Sequence, residues 1–335
     1  MSRILFGHAS SHAWQSAAAS LPAPRVSTSA RRMLTPVSRR REMLLALALA
    51  PWLKALATPA ETPPQAGEGG LLYRAVRGES TVFLYGTIHV GSASFYPLSP
   101  RVLRPLRRAE VLVVEVDLLA PDLASAFRQH GTLPADAPSL SIAEADAQRI
   151  DPMLRAAQID PAFARRFKPE VLAMTLVGLA AAPLGLSTAY GVDYFLLGFA
   201  RAAGIPVVEL EGFAMQMTMN DTLPEAQRQA MLSEALEDLA SGHSTRVVSR
   251  VVRGWQEHDL SLLDPEADPS RSPELHKIFV KQMAERNEAM AQRIGALSGG
   301  QYQRLFVAVG ALHLVGPQAL PALLERQGYR VARLM

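Results

Sequence analysis

The sequence predicts an α/β fold: a mixed central β-sheet flanked by helices, with a large helical insertion between two similar motifs. One strand-length apolar run, residues 81–85, directly precedes a Gly-x-x-His motif at 86–89. A second, residues 304–312, leads into another such motif at 310–313. Between them, residues 118–204 are rich in Ala and Leu, which is typical of helices. Strands near both ends of the chain and helices between them favour one layered domain.

Composition favours a large buried core and argues against a nucleic-acid partner. The chain has 335 residues, of which 49% are hydrophobic, enough for one large domain with a helical subdomain. The pI is near 9.3. However, residues 1–57 hold eight basic side chains and one acid, which leaves 26 basic against 30 acidic side chains from residue 58 onward. Because the basicity belongs to the start of the chain, we expect no nucleic-acid binding.

Residues 1–57 are typical of an export leader. Three arginines at 39–41 precede a short apolar run, 43–53, and a small-residue cleavage site, 55–57. The paired arginines resemble a twin-arginine signal, which exports folded proteins. Because Met33 stands where such a signal should begin, the true start could be Met33. The expected location is periplasmic or exported; an uncleaved leader would instead anchor the protein in the membrane.

The rest of the chain divides into a linker and a folded domain. Residues 58–70 are rich in Pro, Gly, Ala and Glu and predict a flexible linker, so residues 71–335 form the domain. The chain has no cysteine, which excludes disulfides, thiolate ligands and a cysteine nucleophile. Any metal must be held by His, carboxylate or other oxygen ligands, which suits zinc, manganese or similar ions.

Within the domain, strand and helix patterns alternate. Residues 71–76 and 81–85 predict a hairpin, Ser99 and Pro100 begin a helix that runs to Arg108, and 111–116 is typical of a buried strand. Further on we expect helices at 190–203, 224–240, 246–255, 274–294 and 317–327, and strands at 205–211, 304–312 and 329–334.

Four predicted strands end in residues that can carry chemistry. In open α/β sheets, ligands bind outside the carboxyl ends of the strands, so we expect these side chains to meet. Two imidazoles and a carboxylate are a recurrent ligand set for a hydrolytic metal, and a second carboxylate could accept a proton. The strand-end residues, with the glycines of the two motifs, are His89, Glu115, Glu209, Glu211, His313, Gly86 and Gly310.

Each candidate also has an ordinary structural interpretation. A single Gly-x-x-His is a weak motif, because a strand-end histidine is often only hydrogen-bonded. Gly86 could serve a tight backbone turn and Glu115 a structural ion pair. The remaining candidates could be helix-start acids or solvated helix residues: Asp193, Glu209, Glu211, Arg286 and Asn287.

The ordered set of motifs resembles one family. Residues 84–91 (LYGTIHVG), 95–98 (FYPL) and 113–117 (VVEVD) closely resemble the opening of the TraB/GumN family. The same resemblance continues, in order, at 191–193, 206–211, 285–290 and 310–316. It covers about residues 71–334, and the ordered set is more specific than any single motif.

The resemblance implies roles for particular residues. The family includes the Tiki proteins, described as metal-dependent proteases with two Gly-x-x-His motifs and a glutamate, and is distantly similar to erythromycin esterases and haem-linked ChaN proteins. It implies metal or catalytic roles for His89, Glu115 and His313, and it makes Arg286 a candidate for stabilising an oxyanion. One departure is Leu312, where members commonly have glycine, which could narrow the approach to His313.

The resulting expectation is an exported hydrolase that acts on peptides with a divalent ion, Zn, Mn or Co, held by His89, His313 and Glu115. Glu115, Glu209 and Arg286 are its catalytic candidates. The expected partner is a peptide or small-molecule substrate, with membrane contact only through an uncleaved leader; the oligomeric state is left open. The alternative is a non-catalytic periplasmic protein that binds a peptide, haem or glycan fragment in a pocket lined by residues 163–197.

Overall fold

The computed structural model describes residues 67–264 and 272–335. The predicted leader and residues 58–66 of the predicted linker lie outside the described residues. Residues 67–70 are joined to the domain, since Gly67 N donates to Pro97 O at 2.8 Å and Gly70 N donates to Trp255 O at 2.9 Å. The domain therefore includes the last four residues of the predicted linker.

Six strands form one mixed sheet in the order β4-β3-β5-β2-β1-β6. They are β1 (Leu72–Arg77), β2 (Ser80–Thr87), β3 (Val111–Val114), β4 (Val207–Glu209), β5 (Arg304–Gly310) and β6 (Arg330–Arg333). β2, β5, β3 and β4 pair in parallel, whereas β1 is antiparallel to β2 and β6. The predicted α/β class and the mixed sheet are confirmed.

Eleven α-helices accompany the sheet in the described residues, and the nine that lie between β3 and β5 form the predicted insertion. β3 and β5 are entirely or almost entirely buried, as the continuous apolar runs predict. The helices are α1 (Pro100–Arg108), α2 (Leu123–His130), α3 (Glu144–Ala156), α4 (Pro161–Ala164), α5 (Pro169–Leu179), α6 (Val192–Ala203), α7 (Phe213–Thr218), α8 (Glu225–Ala240), α9 (His243–Glu257), α10 (Pro273–Gly300) and α11 (Leu320–Arg326).

Two separate hydrophobic cores fill the domain. The larger core is built on the sheet and takes in α1, α6, α11 and the C-terminal half of α10. The smaller core lies among α3, α4, α5, α7 and α8, and Ile150, Leu154 and Leu172 are at its centre. The part of the insertion formed by α3, α4, α5, α7 and α8 is therefore a helical subdomain with apolar packing of its own. None of the described helices is both long enough and apolar enough to cross a membrane.

Trp255 ties α9 to the end of β2. Its Nε1 donates to the carbonyl oxygen of Gly86 at 2.8 Å, and its ring stacks on Phe95 with 5.4 Å between centroids. The ring is fully buried and lies where a side chain on Gly69 would sit. Because Gly86 comes three residues before His89, Trp255 fixes the backbone that leads into the first histidine motif.

Trp255→Phe should destabilise the domain by about 2–4 kcal/mol, since it leaves the buried Gly86 carbonyl without a donor and removes packed volume. Urea denaturation of the wild type and the variant measures the difference. Met174→Ala, which shortens an exposed side chain on α5, is the control and should stay within about 0.5 kcal/mol. Equal midpoints for Trp255→Phe and the control would contradict this role of Trp255.

Glu170 is a buried acid in the first turn of α5. Among the described residues neither of its carboxylate oxygens has a hydrogen-bond partner. Burial raises the pKa of Glu170, and the nearby charges of Arg228 and Lys168 offset this only in part. When folding raises the pKa of an acid, the folded protein loses stability as the pH rises above the ordinary pKa of that acid.

Glu170→Gln should therefore make the domain more stable at pH 7, because an amide costs less to bury than a carboxylate. The stability of the wild type should also fall as the pH rises above the ordinary pKa of glutamate. The variant should lack the part of this decrease that is due to Glu170. Thermal unfolding at several pH values measures both, with Glu144→Gln, an exposed acid on α3, as control. A variant less stable than the wild type at pH 7 would show that Glu170 has a stabilising partner.

Candidate functional site

The parallel strands bring the predicted site residues to one edge of the sheet. Thr87 at the end of β2 pairs with Gly310 at the end of β5, and Val114 at the end of β3 pairs with Glu209 at the end of β4. Because carboxyl ends of parallel strands share one edge, the residues that follow each strand are neighbours. His89, Glu115, Glu211 and His313 all follow these ends.

Glu115 lies at the centre of this edge, and 12% of its side chain is exposed. Gly310 N donates to its Oε1 at 2.6 Å. Arg286 Nη2 and Gln216 Nε2 donate to its Oε2 at 2.7 and 3.2 Å. A carboxylate accepts about four hydrogen bonds, so one position remains on Glu115 for a further partner. His313 Nε2 is 3.7 Å from Oε2.

Arg286 joins two carboxylates. Its Nε donates to Glu211 Oε1 at 2.7 Å, and its Nη2 donates to Glu211 Oε2 at 2.8 Å as well as to Glu115. Only 1% of the Glu211 side chain is exposed. A planar guanidinium suits such a two-point contact, and here it keeps two buried carboxylates close together. Arg286 therefore holds the Glu115 carboxylate in position.

Gln216 is a site residue that the sequence did not indicate. It lies on α7 and donates from Nε2 to both Glu211 Oε2, at 2.8 Å, and Glu115 Oε2. Its neighbour Met217 is buried in the smaller core, and Phe213 packs against that core. This short helix therefore connects the helical subdomain to the site. No motif surrounds Gln216, so the sequence carries no signal for it.

The first histidine is held by α6. His89 Nδ1 is 2.8 Å from Asp193 Oδ2, and Thr87 Oγ1 donates to Asp193 Oδ1 at 2.6 Å. Because a carboxylate only accepts, Nδ1 carries the proton and Nε2 is turned outward. The His89 side chain is 69% exposed, so its Nε2 is accessible.

The second histidine is held by α10. His313 Nδ1 is 2.5 Å from Asn287 Oδ1, and Asn287 Nδ2 donates to Gln318 O at 2.9 Å. The Gln318 carbonyl fixes the orientation of the Asn287 amide, so Oδ1 must face the ring and Nδ1 of His313 carries the proton. Its Nε2 is therefore left facing Glu115. Unlike His89, His313 is buried, with 5% of its side chain exposed.

Gly310 provides the space that both rings share. A Cβ on Gly310 would lie 3.4 Å from Glu115 Oε1, 3.9 Å from His89 Nε2 and 3.7 Å from His313 Cδ2. The glycine of the first motif differs, since a Cβ on Gly86 would lie 3.1 Å from Ala311 Cα and 3.2 Å from Leu314 Cδ1. Gly86 thus permits close packing of the 310–313 turn, whereas Gly310 leaves open the space between the three predicted ligands.

The charges around this space shift two pKa values in opposite directions. The Asp193 charge raises the pKa of His89 to about 9 against the opposing effect of desolvation. Burial acts to raise the pKa of Glu115, but the charges of His313, Arg286 and His89 outweigh it and hold that pKa well below its usual range. Because the His89 ring is exposed, water screens its pairing with Asp193, and we assign that pair little stabilising energy.

The donors fit a divalent ion chemically. Each imidazole has its Nδ1 occupied by an oxygen acceptor and presents Nε2, the arrangement that orients metal-binding histidines. A bound cation would displace the second proton from each imidazole, and three carboxylates (Asp193, Glu115 and Glu211) with one guanidinium would then leave a net negative charge for it to balance. Among residues 67–264 and 272–335, however, no three His, Asp or Glu side chains already stand in a metal-binding arrangement. His89 Nε2, His313 Nε2 and the remaining position on Glu115 are the groups that would hold the ion.

The other predicted residues differ in whether they contact Glu115 and the two histidines. Glu209 contacts other residues: its Oε1 accepts from Asp117 N at 2.8 Å, and its carbonyl accepts from Arg293 Nε at 2.8 Å. Glu211, the other acid of the pair, lies inside the network. Asp193 and Asn287 each hold one histidine.

Comparison with known proteins confirms the family that the motifs resemble. The model of the TraB/PrgY/gumN family matches residues 71–333, and the chain belongs to that family. It is 32% identical over 254 residues to the uncharacterized protein YbaP of Escherichia coli (strain K12), covering 74% of this chain and 89% of that protein. YbaP of Shigella flexneri is also 32% identical, over 72% of this chain and 87% of its own length. No solved structure matches the chain.

Gly310→Ala should leave the fold intact but occupy the shared space. The added methyl makes only ordinary contacts, and the backbone at Gly310, with φ −51° and ψ 136°, suits any residue. We expect stability within about 1 kcal/mol of the wild type and at least tenfold weaker Mn²⁺ or Zn²⁺ binding by calorimetry. Gly198→Ala, in α6 with open space around it, is the control and should bind as the wild type does. Unchanged binding by a folded Gly310→Ala variant would place any ion elsewhere.

Proposed function

We propose that this protein is a metal-dependent hydrolase whose substrates are peptides. The observation that carries the proposal is the meeting of His89 Nε2, the His313 ring and the Glu115 carboxylate around the side-chain-free position of Gly310. The proposed ion is zinc, manganese or cobalt, since the donors are imidazole and carboxylate and the chain has no thiolate. When bound, such an ion would supply Lewis acidity toward a carbonyl group and toward water.

The protein's own residues have distinct tasks in this proposal. Asp193 and Asn287 fix the tautomers of His89 and His313, so that both Nε2 atoms remain free to bind the ion. Arg286 and Gln216 hold the Glu115 carboxylate in one orientation. Because Arg286 donates from Nη2 to Glu115 and from Nε and Nη2 to Glu211, we assign it to positioning these carboxylates, and Nη1 is the nitrogen proposed for a developing oxyanion.

The accessible side of the site is the side of His89. Its ring is exposed, whereas His313 and Glu115 lie deeper, so a substrate carbonyl approaches past His89. Peptides are the proposed substrate class because the motifs that converge here are those the Tiki metalloproteases share. An exported location follows in this proposal from the predicted leader, by the twin-arginine route, with a membrane anchor if the leader is retained.

A second candidate function is ligand binding without turnover. It is favoured by the hydrogen bonds that already occupy three positions on Glu115, and by apolar side chains exposed on and after α5, such as Met174, Val177 and Leu184. A binding protein would use this surface for a peptide, haem or glycan fragment. It would keep its affinity in EDTA and in His89→Ala.

The experiment that separates the two functions is elemental analysis combined with peptide cleavage. Wild-type protein loaded with Zn²⁺, Mn²⁺ or Co²⁺ should hold about one ion per chain and cleave peptides, and EDTA should abolish cleavage. His313→Ala should lose the ion and at least about 100-fold in rate. His130→Ala removes an imidazole at the end of α2 and should behave as wild type.

Two results would contradict the proposal. One is a His313→Ala variant that retains the full metal content, which would remove His313 from the ligand set. The other is an absence of cleavage by metal-loaded wild type on a mixed peptide library, together with tight peptide binding that EDTA does not affect. The second result would favour the binding protein.

A further inference from the structure

Two adjoining cavities run along the N-terminal half of α10, opposite residues 312–318. The larger has a volume of about 470 Å³ and the smaller about 80 Å³. Val280, Ala284 and Gln318 line both, so the cavities form one continuous depression. We name it the α10 trough.

The smaller cavity reaches the residues that hold the second histidine. Asn287 lines it, and Asn287 Oδ1 is the atom that lies 2.5 Å from His313 Nδ1. Leu312, which also lines it, directly precedes His313 in the chain. A group bound in this cavity therefore contacts the amide that holds the His313 ring.

The smaller cavity suits an aliphatic group. Most of its lining is apolar, with Asp264, Asn287 and Gln318 as the polar side chains; the apolar ones are Phe279, Val280, Met283, Ala284, Leu312, Val315 and Pro317. A dry cavity of about 150 Å³ lined by apolar side chains accepts benzene, so a space of roughly half that volume suits a short aliphatic side chain better than an aromatic ring. Leu312, Met283 and Phe279 are the large apolar side chains of this lining, so they limit the size of the occupant.

The larger cavity suits a chain without strong net charge. Its rim carries Lys277 and Lys281 together with Glu285 and Glu288, and Lys281 Nζ lies 3.8 Å from Glu285 Oε1. Both signs are present in equal number, so the rim does not select an anion such as a phosphate. A peptide backbone, which is polar but neutral, fits this mixture better than a nucleotide or an acidic glycan does.

We infer that the α10 trough binds the peptide substrate on the His313 side of the cleaved bond, and that Leu312 sets which side chain is accepted there. The inference rests on the proposed function. A small aliphatic residue, alanine or valine, occupies the smaller cavity, and the neighbouring residues of the peptide lie in the larger one. Leu312, at a position where glycine would open the cavity, is a specificity-determining residue.

Cleavage of a mixed hexapeptide library by the metal-loaded protein, followed by mass spectrometry, tests the inference. At one position near the cut, wild type should favour Ala and Val over Phe by at least about tenfold. Leu312→Gly enlarges the cavity and should raise cleavage of Phe peptides relative to Val peptides about tenfold or more. Ala284→Leu fills the cavity and should shift the preference at the same position from Val to Gly.

Leu334→Ala shortens an exposed side chain after β6 and should leave the wild-type preference unchanged. All readouts are ratios between peptides in one mixture, so a partly unfolded variant does not distort them. If Leu312→Gly proves too unstable, Ala284→Leu tests the same cavity from the opposite wall. Unchanged preferences in folded Leu312→Gly and Ala284→Leu would overturn the inference.

A second measurement separates this inference from the proposed function. The chain has no cysteine, so Ala284→Cys introduces a single thiol into the trough. In a His89→Ala background, a valine-containing hexapeptide should slow its reaction with methyl methanethiosulfonate at least fivefold, and the matching glycine peptide should slow it less. Protection without any wild-type cleavage would keep the trough as a binding site and reject the hydrolase. Cleavage without protection would keep the hydrolase and reject the trough.

Discussion

The arrangement of this domain depends on one buried carboxylate, that of Glu115. Its oxygens accept hydrogen bonds from Gly310 N at the end of β5, from Arg286 on α10 and from Gln216 on α7. A charge in that position is tolerated only if donors surround it, so the sheet edge, the long helix and the helical subdomain must all meet there. The loss of any one donor would leave a buried carboxylate incompletely solvated. The same convergence places the two histidines beside each other.

The two Gly-x-x-His motifs look alike in sequence and differ in the folded protein. His89 is exposed and held by a carboxylate on α6, whereas His313 is buried and held by an amide on α10. Each uses Nδ1 for its partner and leaves Nε2 free. The resulting site has one exposed imidazole and one buried imidazole. This arrangement suits an ion that is bound by a fixed buried ligand and is accessible to substrate on the His89 side.

Much of this arrangement could be predicted because strands and their ends leave clear patterns. The apolar runs located β2, β3 and β5, and the rule for parallel strands then predicted that His89, Glu115 and His313 would meet. Gln216 could not be predicted, because a six-residue helix carries no recognisable period. Strand alternation also ends at Glu209, and the chain turns at Gly212 with φ +88°, so the orientations of Glu209 and Glu211 depend on tertiary packing.

The most direct test of the proposed site is an anomalous diffraction measurement on crystals of the protein grown with Mn²⁺. The account predicts one strong anomalous peak within about 2.3 Å of His89 Nε2 and His313 Nε2, with Glu115 as the third ligand. A fully occupied peak elsewhere, or crystals that show no peak beside these two nitrogens at saturating Mn²⁺, would contradict it.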